Sequence, residues 1–274
     1  MRTSSRGWTL TLAMTIVVLI INIPIILMII NSFQTTADIR NSTSLVPKSV
    51  TVANYLFLSS STPFFTYLRN SVLTALGAAG LSLAAAVPAG YALSRYRIRA
   101  LGLYSSALFA VQMFPIILAL IPLFVLFLTL GLIDNPVSVM IVYAVLNLPF
   151  VTWMARSYFD TIPRELEEAA LIDGCSQYGA FFRIVLPLTG AGLAAVSIFS
   201  FLMAYNEFFV ANVFLRTKET MTLPVGIQMF MQQFSTDWGS LMAASTLMMV
   251  PTLVLFLFVQ KFITHGAVAG AVKG

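Results

Sequence analysis

Charged residues are scarce in this chain, and that scarcity excludes most soluble proteins. Asp, Glu, Lys and Arg make up 9% of the 274 residues, whereas hydrophobic residues make up 59%. Because soluble domains carry about a quarter charged residues, this composition indicates an integral membrane protein. The single cysteine, Cys175, excludes an internal disulfide. The single histidine, His265, has no second histidine with which to bind a metal.

Sequence motifs of catalysis are absent as well. No Gly-x-x-x-x-Gly-Lys-Ser/Thr sequence occurs, so the chain is not expected to bind ATP through a P-loop. The sequence also contains no His-based triad, nucleophile elbow or metal-ligand constellation. We therefore expect no catalytic residue, no metal site and no cofactor, and a protein that is not itself an enzyme.

Long apolar segments predict an all-α, polytopic membrane fold with six transmembrane helices. Six uncharged windows are each at least as long as the roughly 20 residues that cross a hydrocarbon core. Because backbone polar groups in lipid must be satisfied within their own segment, these windows are expected to be helical. The predicted helices cover residues 9–31, 70–94, 103–127, 137–157, 188–211 and 241–263.

The distribution of Lys and Arg predicts that both termini lie on the cytoplasmic side of the membrane. With the N-terminus inside, ten of the fifteen basic residues fall in inner segments, as the positive-inside rule requires. The net charge of +5 therefore reflects orientation in a bilayer and does not indicate nucleic-acid binding. The inner segments hold Arg2, Arg6, Arg95, Arg97, Arg99, Arg156, Arg164, Arg183, Lys261 and Lys273, and the outer segments hold Arg40, Lys48, Arg69, Arg216 and Lys218.

The inner segment 158–187 holds five of the ten acidic residues and predicts two short helices joined by a glycine. Pro163 and three glutamates suit the first turn of a helix, where an N–H is not needed and the helix dipole favours negative charge. Gly174 suits the left-handed position that ends that helix. Ser176 can cap a second helix, and Pro187 is expected to break the chain before the next span. An amphipathic helix lying on lipid is the alternative, but such helices carry Lys and Arg on their polar face.

The spacing of small, acidic and apolar residues in this segment resembles the EAA loop of ABC-importer permeases. In that family the loop is the cytoplasmic docking element for the ATP-hydrolysing subunit. The resemblance therefore implies a role in coupling to an ATPase for Glu168, Ala169, Ala170, Asp173, Gly174, Ile184, Leu186 and Pro187.

Three further matches resemble the maltose-type, carbohydrate-uptake branch of the same family. They are Gln112-Met-Phe-Pro115, Tyr205-Asn-Glu-Phe208 and the C-terminal residues 270–274. The resemblance implies a type I importer permease fold and a single permease domain over residues 1–274 in a bacterial cytoplasmic (inner) membrane. It also implies three protein partners: a second homologous permease, an ABC ATPase dimer and an extracytoplasmic sugar-binding protein. The substrate pathway would be shared between the two permeases.

Five residues are candidates for the substrate pathway or its gate. They are Gln112, Asn147, Tyr205, Asn206 and Glu207. Glu207 is the one carboxylate within a predicted span, and ionisable groups at such positions face a cavity or a partner. Two interpretations stay open for it, a substrate or gating contact and a structural bond to a neighbouring subunit.

The predicted outer segments are candidates for contact with a binding protein. Segment 212–240 combines charged residues, glutamines and aromatics, as suits a lid over the pathway. Segment 32–69 is rich in Ser and Thr and serves equally well as a spacer without a partner.

Two other transport functions compete with sugar import. An ABC importer for a non-sugar solute is separated from it only by the three matches outside the loop. An ion-coupled secondary transporter would need several intramembrane charges, and it would leave the segment 158–187 unexplained.

Overall fold

The computed structural model describes residues 4–41, 47, 49–231 and 235–271, and nearly all regular structure in them is helical. The only bridging of extended backbone in this part of the chain is an isolated β-bridge between Met231 and Thr236. The all-α prediction is therefore confirmed. The helices are α1 Ser4–Ser32, α2 Thr36–Asn41, α3 Ala53–Ser61, α4 Phe64–Arg95, α5 Arg99–Met113, α6 Ile116–Thr129, α7 Pro136–Asp160, α8 Glu165–Ile172, α9 Gln177–Ala180, α10 Leu186–Leu188, α11 Gly190–Tyr205, α12 Phe209–Phe214, α13 Leu223–Ile227 and α14 Trp238–Ala271.

Four continuous helices are long and apolar enough to span a membrane, and two bent pairs raise the number of candidate spans to six. The bent pairs are α5 with α6 and α9–α10 with α11. The continuous candidates contain the segments Leu10–Ser32, Phe64–Arg95, Pro136–Asp160 and Trp238–Gln260. Six apolar segments were predicted, and each corresponds to one of these helices or bent pairs.

The third predicted span, 103–127, is not one continuous helix. The chain bends by 101° between α5 and α6. Phe114 is extended, with φ −78° and ψ 122°, and Pro115 follows it. A proline disfavours helical backbone in the residue before it and supplies no N–H for the helical ladder. The predicted helix over 103–127 is therefore interrupted at this position.

The fifth predicted span, 188–211, ends earlier than expected. Helix α11 stops at Tyr205, and α12 begins only at Phe209. Glu207 lies in the connection, where its carboxylate accepts hydrogen bonds from the N–H groups of Phe209 at 2.8 Å and Val210 at 3.1 Å. These bonds satisfy N–H groups that the first turn of α12 leaves unpaired.

The chain divides into two compact units. The smaller unit comprises residues 1–65 and 227–250. Within it, Asn54 donates hydrogen bonds to the carbonyls of Ser32 and Gln34, both at 2.8 Å. The carboxylate of Asp237 accepts bonds from Thr36 at 2.6 Å and from the N–H of Ser240 at 3.2 Å. These contacts fix the start of α14.

The larger unit comprises residues 66–226 and 251–274 and is held together by small residues between α4, α7 and α11. Ala86, Val151 and Val196 form a buried cluster between these three helices. Gly90 lets α4 approach α7 closely, because a Cβ at Gly90 would lie 2.9 Å from the backbone nitrogen of Arg156. This tight packing positions the ends of α4 and α7 from which the candidate site is built.

Asp134 fixes the turn between α6 and α7 to the segment that follows α12. Its Oδ1 accepts hydrogen bonds from the N–H groups of Arg216 at 2.8 Å and Thr217 at 3.1 Å, and from the hydroxyl of Thr220. Its own N–H donates to the carbonyl of Phe214 at 2.9 Å. Partial burial raises the pKa of Asp134, but these donors outweigh burial and lower the pKa to about 2. The residue adopts a positive φ of 60°.

Asp134→Ala is expected to lower the free energy of unfolding by about 2 to 4 kcal/mol. This range combines the loss of charge-assisted hydrogen bonds with the cost of alanine at a positive φ. Because the pKa is depressed in the folded state, the contribution is present above the unfolded value of 3.8 and disappears as the pH falls towards 2. Thermal unfolding of the detergent-solubilised protein should therefore show a larger difference between variant and parent at neutral pH than near pH 2, where only the conformational cost of alanine at a positive φ remains. Asp134→Asn is the matched control, since it keeps an acceptor oxygen and tolerates the positive φ. Equal losses in Asn and Ala variants would contradict this account.

Candidate functional site

The segment 158–187, the predicted coupling loop, contains a first helix, α8, that ends before a left-handed Gly174, as predicted. Three glutamates, Glu165, Glu167 and Glu168, occupy the first turn of α8, where the helix dipole favours them. At the other end, the N–H of Cys175 donates to the carbonyl of Ala170 at 2.9 Å and that of Gly174 to Leu171 at 3.1 Å. This pair of bonds is a Schellman motif, which requires a left-handed residue. Gly174 supplies it, with φ +88°.

Pro163 does not lie within α8, although it was expected in the first turn. The helix begins two residues later, at Glu165. The N–H groups of Glu167 and Glu168 both donate to the carbonyl of Arg164, at 2.9 and 3.0 Å. Pro163 therefore precedes the helix.

The second helix of the loop is capped by Ser176 and continues to Leu188. The Ser176 hydroxyl accepts a hydrogen bond from the N–H of Gly179 at 3.1 Å, which confirms the predicted cap. The helix then passes through a π-helical turn, Phe181–Val185, into α10 and bends by 75° into α11. The break falls at Thr189, two residues after Pro187 and directly before α11, so the chain breaks before the next span as predicted. In the π turn a carbonyl accepts a hydrogen bond from the N–H five residues further on, in place of four, as Phe181 does from Leu186. The wider turn accommodates the ring of the proline that follows.

Glu167 attaches α8 to the end of α4, and no pattern in the sequence had singled it out. Its Oε1 accepts a hydrogen bond from Nε of Arg95 at 2.5 Å, and its Oε2 accepts one from the hydroxyl of Tyr91 at 2.7 Å. The side chains of Arg95 and Glu167 are only 8% and 12% exposed. Arg95 also donates to the carbonyls of Phe159 and Ile162, both at 3.1 Å. The Arg95 guanidinium therefore joins α4, the C-terminal end of α7 and the coupling loop.

A buried cluster of aromatic and aliphatic side chains packs the second half of the loop against α4 and α7. Phe181 and Val185 of the π turn are buried against Ala155 and Phe159 of α7. The ring of Tyr91 lies 4.6 Å from that of Phe181, measured between centroids. Both halves of the loop are therefore packed on the ends of two candidate spans, α4 and α7.

The opposite side of the loop is open and partly apolar. Glu168 is exposed, whereas the adjacent Glu167 is hydrogen-bonded to Arg95 and Tyr91 within the protein. Ile172 and Tyr178 are 86% and 80% exposed on either side of Gly174. Large apolar side chains exposed together are typical of a protein interface. The two helices on either side of Gly174 therefore expose acidic residues, Glu165, Glu168 and Asp173, together with Ile172 and Tyr178.

The eight residues predicted to couple to an ATPase are divided between this open side and the packed side. Glu168, Ala169, Asp173, Gly174 and Pro187 are exposed, Ile184 and Leu186 are half-buried, and Ala170 is buried.

The five candidate pathway residues lie in different surroundings. Gln112 and Asn206 are exposed. Asn147 is buried and donates to the carbonyl and hydroxyl oxygens of Ser200, both at 3.0 Å, and thereby joins α7 to α11. Tyr205 is buried and stacks on Phe201, with centroids 5.3 Å apart. Their roles in a substrate pathway stay a prediction.

Glu207 has a structural use within the chain. Besides capping α12 with its carboxylate, it accepts a hydrogen bond at its backbone carbonyl from the hydroxyl of Tyr143 at 3.1 Å. The two interpretations left open by the sequence, a substrate or gating contact and a bond to a neighbouring subunit, stay predictions.

Comparison with protein families identifies the chain. Residues 79–268 match the model of the binding-protein-dependent transport system inner membrane component. The chain belongs to this family. The matched region contains the whole coupling loop and all five candidate pathway residues.

Curated members of the family align with nearly the full length of the chain. The sulfoquinovosyl glycerol transport system permease protein SmoH of Agrobacterium fabrum is 36% identical over 252 residues, which cover 92% of this chain and 88% of that protein. The trehalose/maltose transport system permease protein MalG of Thermococcus litoralis is 34% identical over 254 residues, covering 92% and 91%. As a member of this family, the chain is therefore a membrane transport subunit.

A solved structure shares the fold. It is a chain of a bacterial ABC transporter involved in the import of the acidic polysaccharide alginate, with a TM-score of 0.79 and 24% identity. The match covers 95% of this chain and 98% of that one. The predicted importer-permease fold is confirmed by this likeness. The C-terminal match at residues 270–274 lies mostly outside the described residues.

Proposed function

We propose that this chain is one of two permease subunits of a bacterial ABC importer for a sugar or sugar derivative. Its segment 158–187 docks on a separate ATPase on the cytoplasmic side. The observation that carries this proposal is the division of the loop into a packed side and an open side. Glu167 fixes the loop to two spans, while Glu168, Ile172 and Tyr178 face outward, available to a partner.

A carbohydrate substrate is supported by what the relatives carry. The two curated relatives above are named for sulfoquinovosyl glycerol and for trehalose and maltose, and the structural neighbour belongs to an alginate importer. These substrates share hydroxylated sugar rings and differ in charge and length. The family name also states dependence on a binding protein, which supports an extracytoplasmic sugar-binding protein as a partner.

Ion-coupled secondary transport finds little support in the structure. Coupling by ion movement needs ionisable side chains in the pathway that can change partners. The carboxylate of Glu207 is engaged in capping α12. The pair of Arg95 and Glu167 fixes the coupling loop. We therefore assign the driving force to the ATP cycle of a partner subunit.

The proposal is tested by reconstituting the chain with the ATPase, second permease and binding protein encoded beside it in its genome. Uptake of labelled oligosaccharides into proteoliposomes is expected to require ATP, the binding protein and both permeases. The matched control replaces the second permease by an additional copy of this chain and should show no uptake. Sugar uptake by this chain alone, or uptake that follows an ion gradient without ATP, would reject the proposal.

The proposed topology places both termini and the coupling loop in the cytoplasm. A reporter inserted after Gly174 is expected to give a cytoplasmic signal, because the surrounding loop lies between two spans on the Arg-rich side. A reporter inserted next to Asp237 is expected to give an external signal. Reversal of either signal would reject this orientation, and two signals of the same sign would reject the number of spans between them.

A further inference from the structure

A cavity of about 520 Å³ lies beside the coupling loop, where α4 and α7 end and the chain leads into α8. Its walls belong to the last turns of two candidate spans and to residues 162–165. Four arginines and two carboxylates line it, so positive charge prevails. These residues are Arg95, Arg97, Arg156, Arg164, Asp160 and Glu165.

Two of the four arginines are used inside the protein. Arg95 is bound to Glu167 and to backbone carbonyls at the end of α7. Arg164 donates to the carbonyl of Ser94 at 3.0 Å, which satisfies an acceptor at the end of α4. These bonds hold the walls of the cavity in place and leave the charge of Arg164 without a carboxylate within the described residues.

The other two arginines keep most of their hydrogen-bonding capacity. Arg156 approaches Asp160 only to 3.6 Å, with both side chains nearly half exposed. Asp160 meanwhile accepts a hydrogen bond from the hydroxyl of Ser94 at 2.5 Å. Arg97 is exposed and forms no ion pair with the described part of the chain. Guanidinium groups with free N–H donors in a fixed cavity are suited to bidentate recognition of a phosphate.

The surroundings of Arg97 place this cavity at the level of lipid headgroups. Helix α4 has 32 residues and is about 48 Å long, which exceeds the roughly 30 Å of a hydrocarbon core. Its last turn therefore reaches the headgroup region. Tyr96 and Ile98, on either side of Arg97, are 43% and 59% exposed. An exposed tyrosine beside an aliphatic residue is typical of a chain segment at the membrane interface.

We infer that this cavity binds the phosphate of an anionic phospholipid. Arg97 and Arg156 would contact the phosphate, and Arg164 would add charge from the loop side. Basic pockets between transmembrane helices are suited to such headgroups. The exposed Tyr96 and Ile98 favour a lipid over a soluble phosphate, because they can lie along its acyl chains. A bound lipid would touch the ends of α4 and α7 and the entry to α8 at once, and would stabilise the loop in its packed position.

Native mass spectrometry of the full-length protein, purified with the subunits that accompany it, tests this inference. Retention of phosphatidylglycerol is compared with that of phosphatidylcholine. Arg97→Gln combined with Arg156→Gln is expected to weaken phosphatidylglycerol binding about 30-fold, since each basic residue near a membrane surface contributes a factor of about five. The matched control combines Arg99→Gln with Arg183→Gln, which removes the same charge from the same side of the membrane but outside the cavity and should retain the lipid. Thermal unfolding of both variants establishes that each is folded.

Each other outcome overturns the inference. Equal loss of lipid in the control variant would show general electrostatic attraction and no site. Equal retention of phosphatidylcholine, or full displacement of the lipid by inorganic phosphate, would show that an anionic lipid is not the ligand. Unchanged lipid retention in the Arg97 and Arg156 variant, together with loss of the ATPase subunit, would assign the cavity to the partner protein.

Discussion

Gly174→Val is expected to abolish uptake while the protein stays inserted in the membrane. Gly174 has φ +88°, and a Cβ at this position would meet no atom within 4 Å. The cost of a side chain is therefore conformational and not steric, about 1–2 kcal/mol or more for a β-branched residue. The chain can avoid that cost only by changing the angle between α8 and α9. Ile172 and Tyr178 would then no longer present one surface to the ATPase.

Gly174→Asn is the matched control for this prediction, because asparagine tolerates the left-handed region. It should retain a large part of the uptake that the valine variant loses. Uptake and ATPase association are measured at equal amounts of inserted protein. Normal uptake in Gly174→Val, or equal loss in both variants, would show that the left-handed turn is not what the coupling requires.

Charge reversal at Glu168, on the exposed side of α8, should reduce uptake as strongly as Gly174→Val does. Glu168 is exposed and forms no ion pair with the described residues, so its carboxylate is available to a basic group on the ATPase. Loss of such a bond at an interface costs roughly 2–5 kcal/mol. Glu168→Lys is therefore expected to release the ATPase, and Glu168→Gln to weaken it less. Full association of the lysine variant would exclude this residue from the interface.

Features of the loop with a local cause could be predicted from the sequence. The Asp-Gly pair after an apolar helical run places a residue with no Cβ where the backbone must turn left, and the Schellman bonds at Gly174 confirm it. The serine at position 176 caps the following helix as expected, because its hydroxyl needs only the N–H three residues further on. Neither prediction depended on how distant segments pack.

The effect of each proline on helix continuity was harder to predict, because it depends on the conformation of the neighbouring helical turns. Pro115 produces a bend of 101° in a segment that was expected to be one span. Pro187 lies inside a helix, since a π-helical turn ahead of it accommodates its ring. All four continuous candidate spans contain a proline without interruption, at Pro24, Pro88, Pro149 and Pro251. The residue type alone therefore does not decide between a kink and a break.

The most important residue that sequence reasoning missed is Glu167. Its partner Arg95 lies 72 residues away and Tyr91 lies 76 residues away. Both approach only because α4 packs on α7 and the loop folds back over their ends. Glu168 next to it carries the family pattern, and a single sequence offers no sign that these neighbouring glutamates have different surroundings. The sequence likewise gives no sign of the buried hydrogen bond from Asn147 to Ser200 or of the one between the hydroxyls of Ser200 and Ser82.

Glu167→Ala is expected to destabilise the protein by about 3–5 kcal/mol, because it leaves the nearly buried guanidinium of Arg95 without its counter-charge. Arg95→Ala should cost at least as much. It removes the same pair and also leaves the carbonyls of Phe159 and Ile162 without their donor. Arg95→Lys keeps the charge but not the planar group that donates to four acceptors, Glu167, Ser94, Phe159 and Ile162. It is therefore expected to recover only part of the loss. Thermal unfolding in detergent measures all three variants.

The neighbouring Glu168 provides the control for the Glu167→Ala prediction. Glu168→Ala removes an exposed carboxylate from the same turn of α8 and should change the free energy of unfolding by less than about 0.5 kcal/mol. It should nevertheless weaken ATPase association, whereas Glu167→Ala should reduce both stability and uptake. A stable Glu167→Ala protein, or a Glu168→Ala protein as unstable as it, would contradict the division of α8 into a clamped side and a docking side. The loop transmits motion only if those two tasks belong to different residues, since a carboxylate bound to Arg95 within the protein is not free to bind a partner.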